Sequence, residues 1–498
     1  LGATASPLGE PLLTATGKRA DRDAEAQLPP YRSAGASFSR TCLNLTNAVS
    51  GIGVLSMPYA VSRGGWLSLA LFALVGAVCY YTGTLIGRCM RADGSVATYP
   101  DVGQLAFGAA GRRTVALFMY VELYLVAISF LVLEGDNLDK LFPGAGVELP
   151  AGYWLRGKQL FIVLAGAVVL PTTWLKNLGV LAYVSALGLV ASAALTASLI
   201  WAGVSESGFR GSGNVLNLAG LPTSLGLYFV CFTGHAVFPT IYSSMRNRER
   251  FSQVLLFSSV LCSINYGFTA VLGYLIYGDD VQSQVTLNLP SGRLYTKIAI
   301  VMTLINPLTK YALLVAPITS AIEERFSLAR SGSARVAIST AVLVSTVAVA
   351  SMVPFFGFLM SFIGSFLSVM ATVFFPCLCY LNIYKAKGLS RVEVAAIVAI
   401  LLLGAFVAIT GTYTSLRGRF GLGGTAGVPT LSGGVATLGS VSGDDGCGRG
   451  GRPCFGQRRW LRLAAATRSA AMGHLTPDRR WRHGGPGGRV RGLASRHI

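Results

Sequence analysis

Apolar residues in this chain occur in runs of 18 or more, too long for the strands or helices of a soluble domain. A helix needs about 20 apolar residues to cross a hydrocarbon core of about 30 Å. A soluble α/β domain would interrupt such runs with turn signals every few residues. The pattern predicts an all-α membrane protein with about eleven transmembrane helices. The predicted spans are 38–61, 65–88, 113–136, 158–174, 177–203, 217–240, 251–277, 294–318, 334–352, 355–384 and 392–414.

The order of these spans contains a hidden repeat. The first five cover residues 38–203 and the next five cover 217–384, so the two sets have almost the same length. Five is an odd number, so a second copy of the unit enters the membrane upside down. Inverted repeats of this kind build many transporter folds, with discontinuous helices at mid-membrane. We therefore expect a membrane domain over 38–415, with an extra helix at 392–414 and with broken first and sixth helices.

Both first helices of the repeat contain glycine near mid-span and a proline a few residues later, Pro58 or Pro239. Glycine permits non-helical dihedral angles and proline removes a backbone donor. Peptide groups freed inside the membrane need partners, and a zwitterion can supply them. The alternative is that glycine and proline only kink packed membrane helices. The expected substrate-binding residues are Asn47, Ala48, Val49, Ser50, Gly51, Ile52 and Gly53 in the first span, and Phe232, Thr233, Gly234 and His235 in the sixth.

Few ionisable residues lie inside the predicted spans, and such residues are costly enough there to be functional candidates. Glu122 either accepts a proton or belongs to a structural pair. His235 either carries a proton, contacts the substrate or caps the broken backbone as a neutral ring. Lys310 is a coupling candidate or a structural tether. The acids at the end of the third span are expected to face water: Glu134, Asp136 and Asp139.

Composition and charge support a membrane protein and give its orientation. The chain is 52% hydrophobic and 12% charged, with a net charge of +20. With the N-terminus in the cytosol, the cytosolic segments hold 19 Lys and Arg, against seven on the opposite face before the tail. This asymmetry is typical of topology determinants, among them Arg246-Asn247-Arg248-Glu249-Arg250, for which lipid headgroup contact is a secondary role. The expected partner is the lipid bilayer rather than a nucleic acid.

The two ends of the chain differ in composition from the membrane domain. Residues 1–37 are polar and predict a disordered cytosolic arm, and the Gly/Arg-rich residues 416–498 predict a disordered tail. The tail begins abruptly, so it is either an aberrant, mis-translated or mis-spliced end or a genuine disordered segment. No cofactor or metal site is expected, because the cysteines lack zinc-ligand spacing with a histidine. The chain also shows no nucleophile–base cluster of an enzyme.

Several motifs resemble one family. Gly51-Ile52-Gly53-Val54-Leu55-Ser56-Met57-Pro58-Tyr59-Ala60 is similar to the first-helix motif of the amino acid/auxin permease family. Gly65-Trp66, Thr98-Tyr99-Pro100-Asp101-Val102-Gly103 and Ala106-Phe107-Gly108 resemble its next segments. Two further segments resemble the plant vacuolar amino acid transporter branch. They are Gly234-His235-Ala236-Val237-Phe238-Pro239-Thr240-Ile241-Tyr242 and Asn306-Pro307-Leu308-Thr309-Lys310-Tyr311. The likeness runs from about Phe38 to Ser415.

The resemblance implies a LeuT-like fold of eleven helices that carries neutral amino acids coupled to protons rather than sodium. It implies residence in the vacuolar membrane, with the plasma membrane as the alternative. Substrate contacts would come from the two breaks, and Glu122 and Lys310 would complete the site. Lys310 would stand as a fixed cation where sodium-coupled relatives bind an ion. The tail departs from the family pattern, because such proteins usually end soon after the last helix.

We therefore expect a secondary active transporter that works by alternating access, with its first, second, sixth and seventh helices rocking against the rest. The main rival is an amino acid sensor without net transport, which would need a cytosolic partner surface such as residues 1–37. A channel would need a continuous polar pore, and the spans have too few polar residues for one. The amino acid carried, the direction, the stoichiometry and the oligomeric state do not follow from these residues.

Overall fold

A computed structural model describes residues 35–149, 153–175, 187–209, 211, 213–326, 332–353 and 355–420. These residues are helical apart from one pair of short strands and the connections. The helical stretch Phe356–Tyr384 contains two π-helical segments, Ile363–Ser368 and Met370–Phe374. The helices are α1 Phe38–Val49, α2 Met57–Gly64, α3 Ser68–Ala92, α4 Tyr99–Leu141, α5 Lys158–Thr173, α6 Leu187–Ala202, α7 Leu221–Cys231, α8 Phe238–Ser244, α9 Phe251–Tyr277, α10 Leu294–Arg325, α11 Gly332–Met352, α12 Phe356–Tyr384 and α13 Arg391–Phe420.

The strands are β1, Gly146–Leu149, and β2, Tyr153–Arg156. They pair antiparallel, with Gly146 opposite Arg156 and Leu149 opposite Tyr153. The pair lies in the connection between α4 and α5, so it adds a small β element to a bundle that was predicted as all-α. A short π-helical segment follows α6, Gly203–Ser207, and the 3₁₀ turns are Ile52–Ser56, His235–Val237, Arg248–Arg250, Gly278–Asp280, Val285–Leu287 and Lys385–Lys387.

Eight helical stretches in the described part of the chain are long and apolar enough to cross a membrane, if Leu221–Ser244, which comprises α7 and α8, is counted as one. The prediction of a helical, multi-pass architecture is therefore confirmed, while the count of eleven spans and the inverted repeat stay predictions. Of the remaining predicted spans, the first is divided between α1 and α2, and the fourth and fifth correspond to the 16-residue helices α5 and α6. Residues 176–186, where the fifth was predicted to start, lie outside the described residues.

Helix α4 is much longer than the predicted third span. The apolar pattern predicts a span only from residue 113, whereas α4 begins at Tyr99 and bends at Phe107–Gly108, where Gly108 has a φ of +65°. Thr98 caps this helix, and the Asp101 carboxylate accepts from the Thr98 backbone N–H at 2.9 Å. This reciprocal capping stabilises a helix start in a segment too polar for a hydropathy pattern to find.

The acids at the end of α4 do not all face water, contrary to the expectation. Glu134 is only 2% exposed, and Asp136 forms an ion pair of 2.8 Å with Lys158 of α5. The reason is that α4 continues to Leu141, so its last turns are packed by α5 and by the connection between α9 and α10.

The predicted N-terminal arm and C-terminal tail each overlap the ordered part of the structure by a few residues. Ser37 caps α1, and Ala36 pairs with Met245 in a parallel bridge, so the arm predicted as disordered up to residue 37 is ordered over its last residues. Helix α13 runs to Phe420, about one turn past the predicted start of the tail at residue 416. Residues 1–34 and 421–498 of the predicted arm and tail lie outside the described residues.

Glycines allow helices to approach closely at the centre of the bundle. A Cβ atom added to Gly364 of α12 would overlap the carbonyl oxygen of Gly226 in α7, and a Cβ at Gly226 would lie 2.9 Å from the Ser361 carbonyl oxygen. Membrane helices gain stability from such small-residue crossings, because packing rather than hydrophobicity drives their association. This crossing fixes α7, and therefore the residues that follow it, against α12.

We expect Gly364→Ala to lower the thermal stability of the purified protein in detergent. The added methyl group has no room at the α7–α12 crossing, and overpacking of this kind typically costs about 1–3 kcal/mol. Gly94→Ala is the matched control, because a Cβ there meets no atom within 4 Å. Equal melting temperatures for the two variants would contradict the close crossing.

Candidate functional site

The first predicted break is present between α1 and α2. Helix α1 ends at Val49, Gly51 is extended with φ −102° and ψ −166°, and a 3₁₀ turn over Ile52–Ser56 leads into α2. Glycine tolerates non-helical dihedral angles, and the proline at the start of α2 has no backbone N–H to donate to the preceding turn. Both residue types therefore favour an interruption of the helix here. The interruption leaves the last carbonyl groups of α1 without helical partners.

Two side chains from distant helices form hydrogen bonds with the backbone groups at this break. The Tyr266 hydroxyl of α9 donates to the Val49 carbonyl at 2.9 Å and accepts from the Gly51 N–H at 3.2 Å. The Lys310 ammonium of α10 donates to the Asn47 carbonyl at 2.6 Å and to the Ser50 carbonyl at 2.9 Å. Lys310 therefore has the geometry of a tether for the broken helix, and it is a cation bound by backbone carbonyls.

The second predicted break separates α7 from α8. Helix α7 ends at Cys231, and residues 232–234 precede a 3₁₀ turn at His235–Val237. The Thr233 hydroxyl donates back to the Phe229 carbonyl at 3.1 Å, which satisfies one released group.

His235 is fully buried, and its Nε2 lies 3.0 Å from the Thr82 hydroxyl of α3. That hydroxyl also lies 3.1 Å from the Val78 carbonyl and 3.2 Å from the Cys79 carbonyl. With the single proton of that hydroxyl on one of those carbonyls, His235 Nε2 is the donor and Nδ1 keeps its lone pair. No described residue bonds Nδ1. The ring binds α3 rather than capping the broken backbone, and it offers a buried acceptor.

The two breaks pack directly on each other. A Cβ added to Gly53 would lie 2.7 Å from the Cys231 sulfur, and a Cβ added to Gly234 would lie 2.8 Å from Val49 Cγ2. The Cys231 sulfur is 3.4 Å from the sulfur of Met57 at the start of α2. The structure thus brings together two segments that are about 180 residues apart in the sequence.

A small cavity lies beside the first break. Its volume of about 20 Å³ has room for about one water molecule. An amino acid does not fit, so the site is closed in this structure. None of the lining residues comes from the second break, and Asn306 Oδ1, which is buried, has no partner among the described residues. The lining residues are Gly51, Ile52, Val54 and Leu55 near the break, Gly188, Ala191, Ser192 and Leu195 of α6, and Thr303 and Asn306 of α10.

Glu122 lies apart from the other two coupling candidates. It is 4% exposed, and its Oε1 accepts from the Ser368 hydroxyl at 2.8 Å. Ser368 ends the first π-helical segment of α12, and such segments are frequent at functional sites because they redirect side chains. Over the ranges that the structure covers, Glu122 forms no ion pair with Lys310 or His235. Among the described residues, its carboxyl group therefore has a hydroxyl partner and no cation within ion-pair distance.

The partners of the candidate residues were not predicted from the sequence. Tyr266, Thr82 and Ser368 lie in apolar runs without a local signal, and each acts across 150 to 250 residues of sequence. In the described part of the chain, no three His, Cys, Asp or Glu side chains converge where a metal ion could bind.

Comparisons with known proteins agree with the motifs. The model of a family described as "Transmembrane amino acid transporter protein" matches residues 34–417. Amino acid transporter AVT1I of Arabidopsis thaliana is 45% identical over 389 residues, which cover 78% of this chain and 96% of the relative. Amino acid transporter AVT1J of the same plant is 46% identical over 404 residues, which cover 80% of this chain and 95% of the relative.

A weaker likeness of shape extends to the crystal structure of MhsT in complex with L-phenylalanine. The sequence identity is 12%, the TM-score is 0.47, and the match covers 75% of this chain and 95% of that chain. A likeness at this level does not define a shared fold.

The family match and the curated relatives confirm the resemblance seen in the motifs. They also confirm the prediction that the chain is not an enzyme, because the relatives are transporters. The match extends across both breaks and all three coupling candidates. The chain belongs to the transmembrane amino acid transporter family.

Proposed function

We propose that this chain is a secondary active transporter of neutral amino acids, coupled to protons and working by alternating access. The family supports amino acid transport in general, and the two breaks that pack on each other support a substrate site at the centre of the bundle. The observation that carries the proposal is the Lys310 ammonium bound to the Asn47 and Ser50 carbonyls.

The position of Lys310 is the reason to propose that transport is coupled to protons instead of sodium ions. Carbonyl groups of an unwound helix are the ligands that transporters use for a coupling ion. Here an ammonium group that belongs to the protein occupies two such carbonyls. A sodium ion at the same carbonyls would be repelled by the positive charge of Lys310. It could bind there only if the hydrogen bonds of the Lys310 ammonium were broken. The fixed ammonium therefore replaces the ion, and coupling falls to a group that can gain and lose a proton.

Glu122 is the group that we assign to the proton. A carboxylate is costly inside a membrane unless a cation or several donors stabilise it. Glu122 has one hydroxyl donor, from Ser368, and its position between α4 and α12 lets a change of charge alter how these helices pack. If this carboxyl group takes up a proton from one side of the membrane and releases it to the other, the proton gradient can drive the rocking of the bundle.

The substrate would bind beside the two breaks, where a cavity already lies between the first break and helices α6 and α10. Its carboxylate would face the N–H groups that open the Ile52–Ser56 turn, and its ammonium would face the carbonyl end of α7 and the free Nδ1 of His235. The closed cavity of about 20 Å³ would have to widen for this. Widening requires that the α1–α2 and α7–α8 pairs, which touch at Gly53 and Cys231, move together against α6 and α10.

We place the protein in the vacuolar membrane with its N-terminus in the cytosol, and the plasma membrane is the alternative. The excess of basic residues on the N-terminal face supports this orientation. The sensor alternative depends on the N-terminal arm, of which residues 1–34 lie outside the described residues.

A counterflow assay in proteoliposomes tests the proposal directly. The full chain would be given a panel of labelled amino acids, with no gradient, with a pH gradient or with a sodium gradient. We expect saturable uptake of neutral amino acids that the pH gradient accelerates and the sodium gradient does not. No uptake of any amino acid would remove the transport claim, and uptake that follows sodium would overturn the coupling claim.

We expect Lys310→Met to reduce counterflow at least about tenfold. The substitution keeps an apolar stem but removes the donor from the Asn47 and Ser50 carbonyls, and each unsatisfied buried group costs about 1–3 kcal/mol. The broken segment would then lose its fixed position and with it the substrate geometry. Lys297→Met, at an exposed lysine of the same helix, is the matched control. Normal flux in Lys310→Met would show that the tether is dispensable.

Glu122→Gln is expected to separate exchange from coupling. Glutamine keeps an oxygen that accepts from Ser368, so the α4–α12 contact is preserved, but it cannot release a proton. Exchange of amino acids at equal pH should persist, while the acceleration by a pH gradient should disappear. The control is Glu324→Gln, at an exposed acid on α10. A pH response that survives in Glu122→Gln would assign the proton to another group, with His235 the next to test.

A further inference from the structure

Glu134, near the end of α4, is a buried carboxyl group to which the proposed function assigns no role. It is 2% exposed, and its Oε1 has no hydrogen-bond partner among the described residues. No described cation lies within ion-pair distance of it. An ionised carboxylate without donors or a counter-ion is very costly to bury, and it avoids that cost when it takes up a proton. The neighbours of Glu134 show what neutralises it.

Asn137, one turn further along α4, lacks a donor for its side-chain oxygen. Its Nδ2 donates to the Leu133 carbonyl at 2.9 Å and to Gln284 Oε1 at 2.7 Å. Gln284 Nε2 donates to the Asp136 carboxylate at 2.7 Å, which fixes the end of the Gln284 amide that meets Asn137. Both donors of the Asn137 amide are therefore used, and its Oδ1 is buried without a partner in the described part of the chain.

A third oxygen atom in this state belongs to Thr286, in the connection between α9 and α10. Thr286 is fully buried and its hydroxyl has no described partner, while its backbone carbonyl accepts from the Lys140 ammonium at 3.0 Å. Glu134, Asn137 and Lys140 are spaced three residues apart, so they lie along one side of α4. We call these three residues the polar stripe. Asn137 and Lys140 both contact the connection, and Glu134 lies one turn deeper.

A proton fits this arrangement better than a metal ion does. One proton on Glu134 creates an O–H group, which is the kind of donor that Asn137 Oδ1 and the Thr286 hydroxyl can accept. Ca²⁺ and Mg²⁺ take about six or more oxygen ligands, whereas the described residues offer three unpaired oxygen atoms here. The Lys140 ammonium, which belongs to the same stripe, would also repel a second cation.

The surrounding charges do not neutralise Glu134. Residues 281–289 carry no charged side chain. Lys158 pairs with Asp136 at 2.8 Å, and the Lys140 ammonium donates to three carbonyls of the connection. Within the described ranges, no charged group of the neighbouring elements forms an ion pair with Glu134. These groups are Asp136, Asp139 and Lys140 on α4, Lys158 on α5, and Arg293 and Lys297 at the start of α10.

Glu134 lies at the end of the bundle opposite the N-terminus. Helix α9 has 27 residues and begins shortly after Met245, which pairs with Ala36. The other end of α9 leads into the connection that binds Asn137. Glu122 lies twelve residues before Glu134 on α4, which is about 18 Å along the helix axis. The two carboxyl groups therefore occupy different depths of the bundle.

We propose that Glu134 is a second proton-binding site of the transporter, and that it exchanges its proton with water at the end of the bundle opposite the N-terminus. This inference rests on the proposed function, to which it adds a second proton. In the closed state Glu134 is a neutral acid, and its O–H supplies the donor that the polar stripe lacks. Transfer of this proton to water leaves a carboxylate, which favours states in which water reaches the stripe.

Infrared spectroscopy of the full chain in liposomes tests this inference without a flux measurement. A protonated carboxyl group has a C=O stretching band that an ionised carboxylate lacks. At neutral pH we expect Glu134→Gln to lose one such band. Glu324→Gln, at an exposed acid of α10, is the matched control and should lose none. Glu122→Gln should leave the Glu134 band in place.

Transfer to D₂O separates a proton-binding site from an acid that is only structural. Deuteration shifts the C=O band of a carboxylic acid, and we expect the Glu134 band to shift before the backbone amides of the buried helices exchange. Glu134→Asp is the second variant, because it keeps an acid at this position. Its band should move instead of disappearing, so it gives the assignment if Glu134→Gln does not fold.

The proposal is wrong if Glu134→Gln loses no C=O band, and stabilisation of the unmodified chain by Na⁺ or Ca²⁺ would then assign a metal ion to the polar stripe. It is also wrong if the Glu134 band shifts in D₂O only together with the buried backbone amides. Failure of the proposed transport function would appear elsewhere, as missing counterflow in the unmodified chain. The two failures are therefore distinguishable.

Discussion

The hydrogen bonds from the Lys310 ammonium to the Asn47 and Ser50 carbonyls are the interaction on which the rest of this site depends. A helix that ends inside a membrane leaves peptide groups that neither water nor lipid can serve. Lys310 from α10 and Tyr266 from α9 form hydrogen bonds with them, so these two side chains hold the interrupted segment in place. The second break, at Gly234, then packs on Val49 at the end of α1.

A lysine ammonium group that donates to several backbone carbonyls occurs twice in the molecule. Lys310 donates to the Asn47 and Ser50 carbonyls at the first break, and Lys140 donates to three carbonyls of the connection between α9 and α10, those of Thr286, Leu287 and Leu289. In a chain with only 12% charged residues, each ammonium fixes a stretch of irregular backbone that hydrophobic packing alone would leave unsatisfied. One lysine fixes the first break and the other fixes the connection between α9 and α10, so each can be changed by mutation without the other.

Local features of the chain were readable from the sequence, and contacts between distant segments were not. Glycine and proline predict the breaks because they act on their own backbone, and the cost of charge in a membrane singles out Glu122, His235 and Lys310. The Thr98–Asp101 capping box was also visible, but it was missed because α4 begins in a polar segment. Ser368 as the partner of Glu122 had no such signal, because it lies 246 residues away in an apolar run.

An electron cryomicroscopy structure of the full chain with a bound neutral amino acid would show whether the two breaks and Lys310 form the substrate site. We expect density for the amino acid beside Gly51–Gly53 and residues 233–235, with the Lys310 ammonium still on the carbonyls of Asn47 and Ser50. A metal ion at those carbonyls with Lys310 turned away would contradict the claim, and so would continuous helix through residues 47–53 and 231–239.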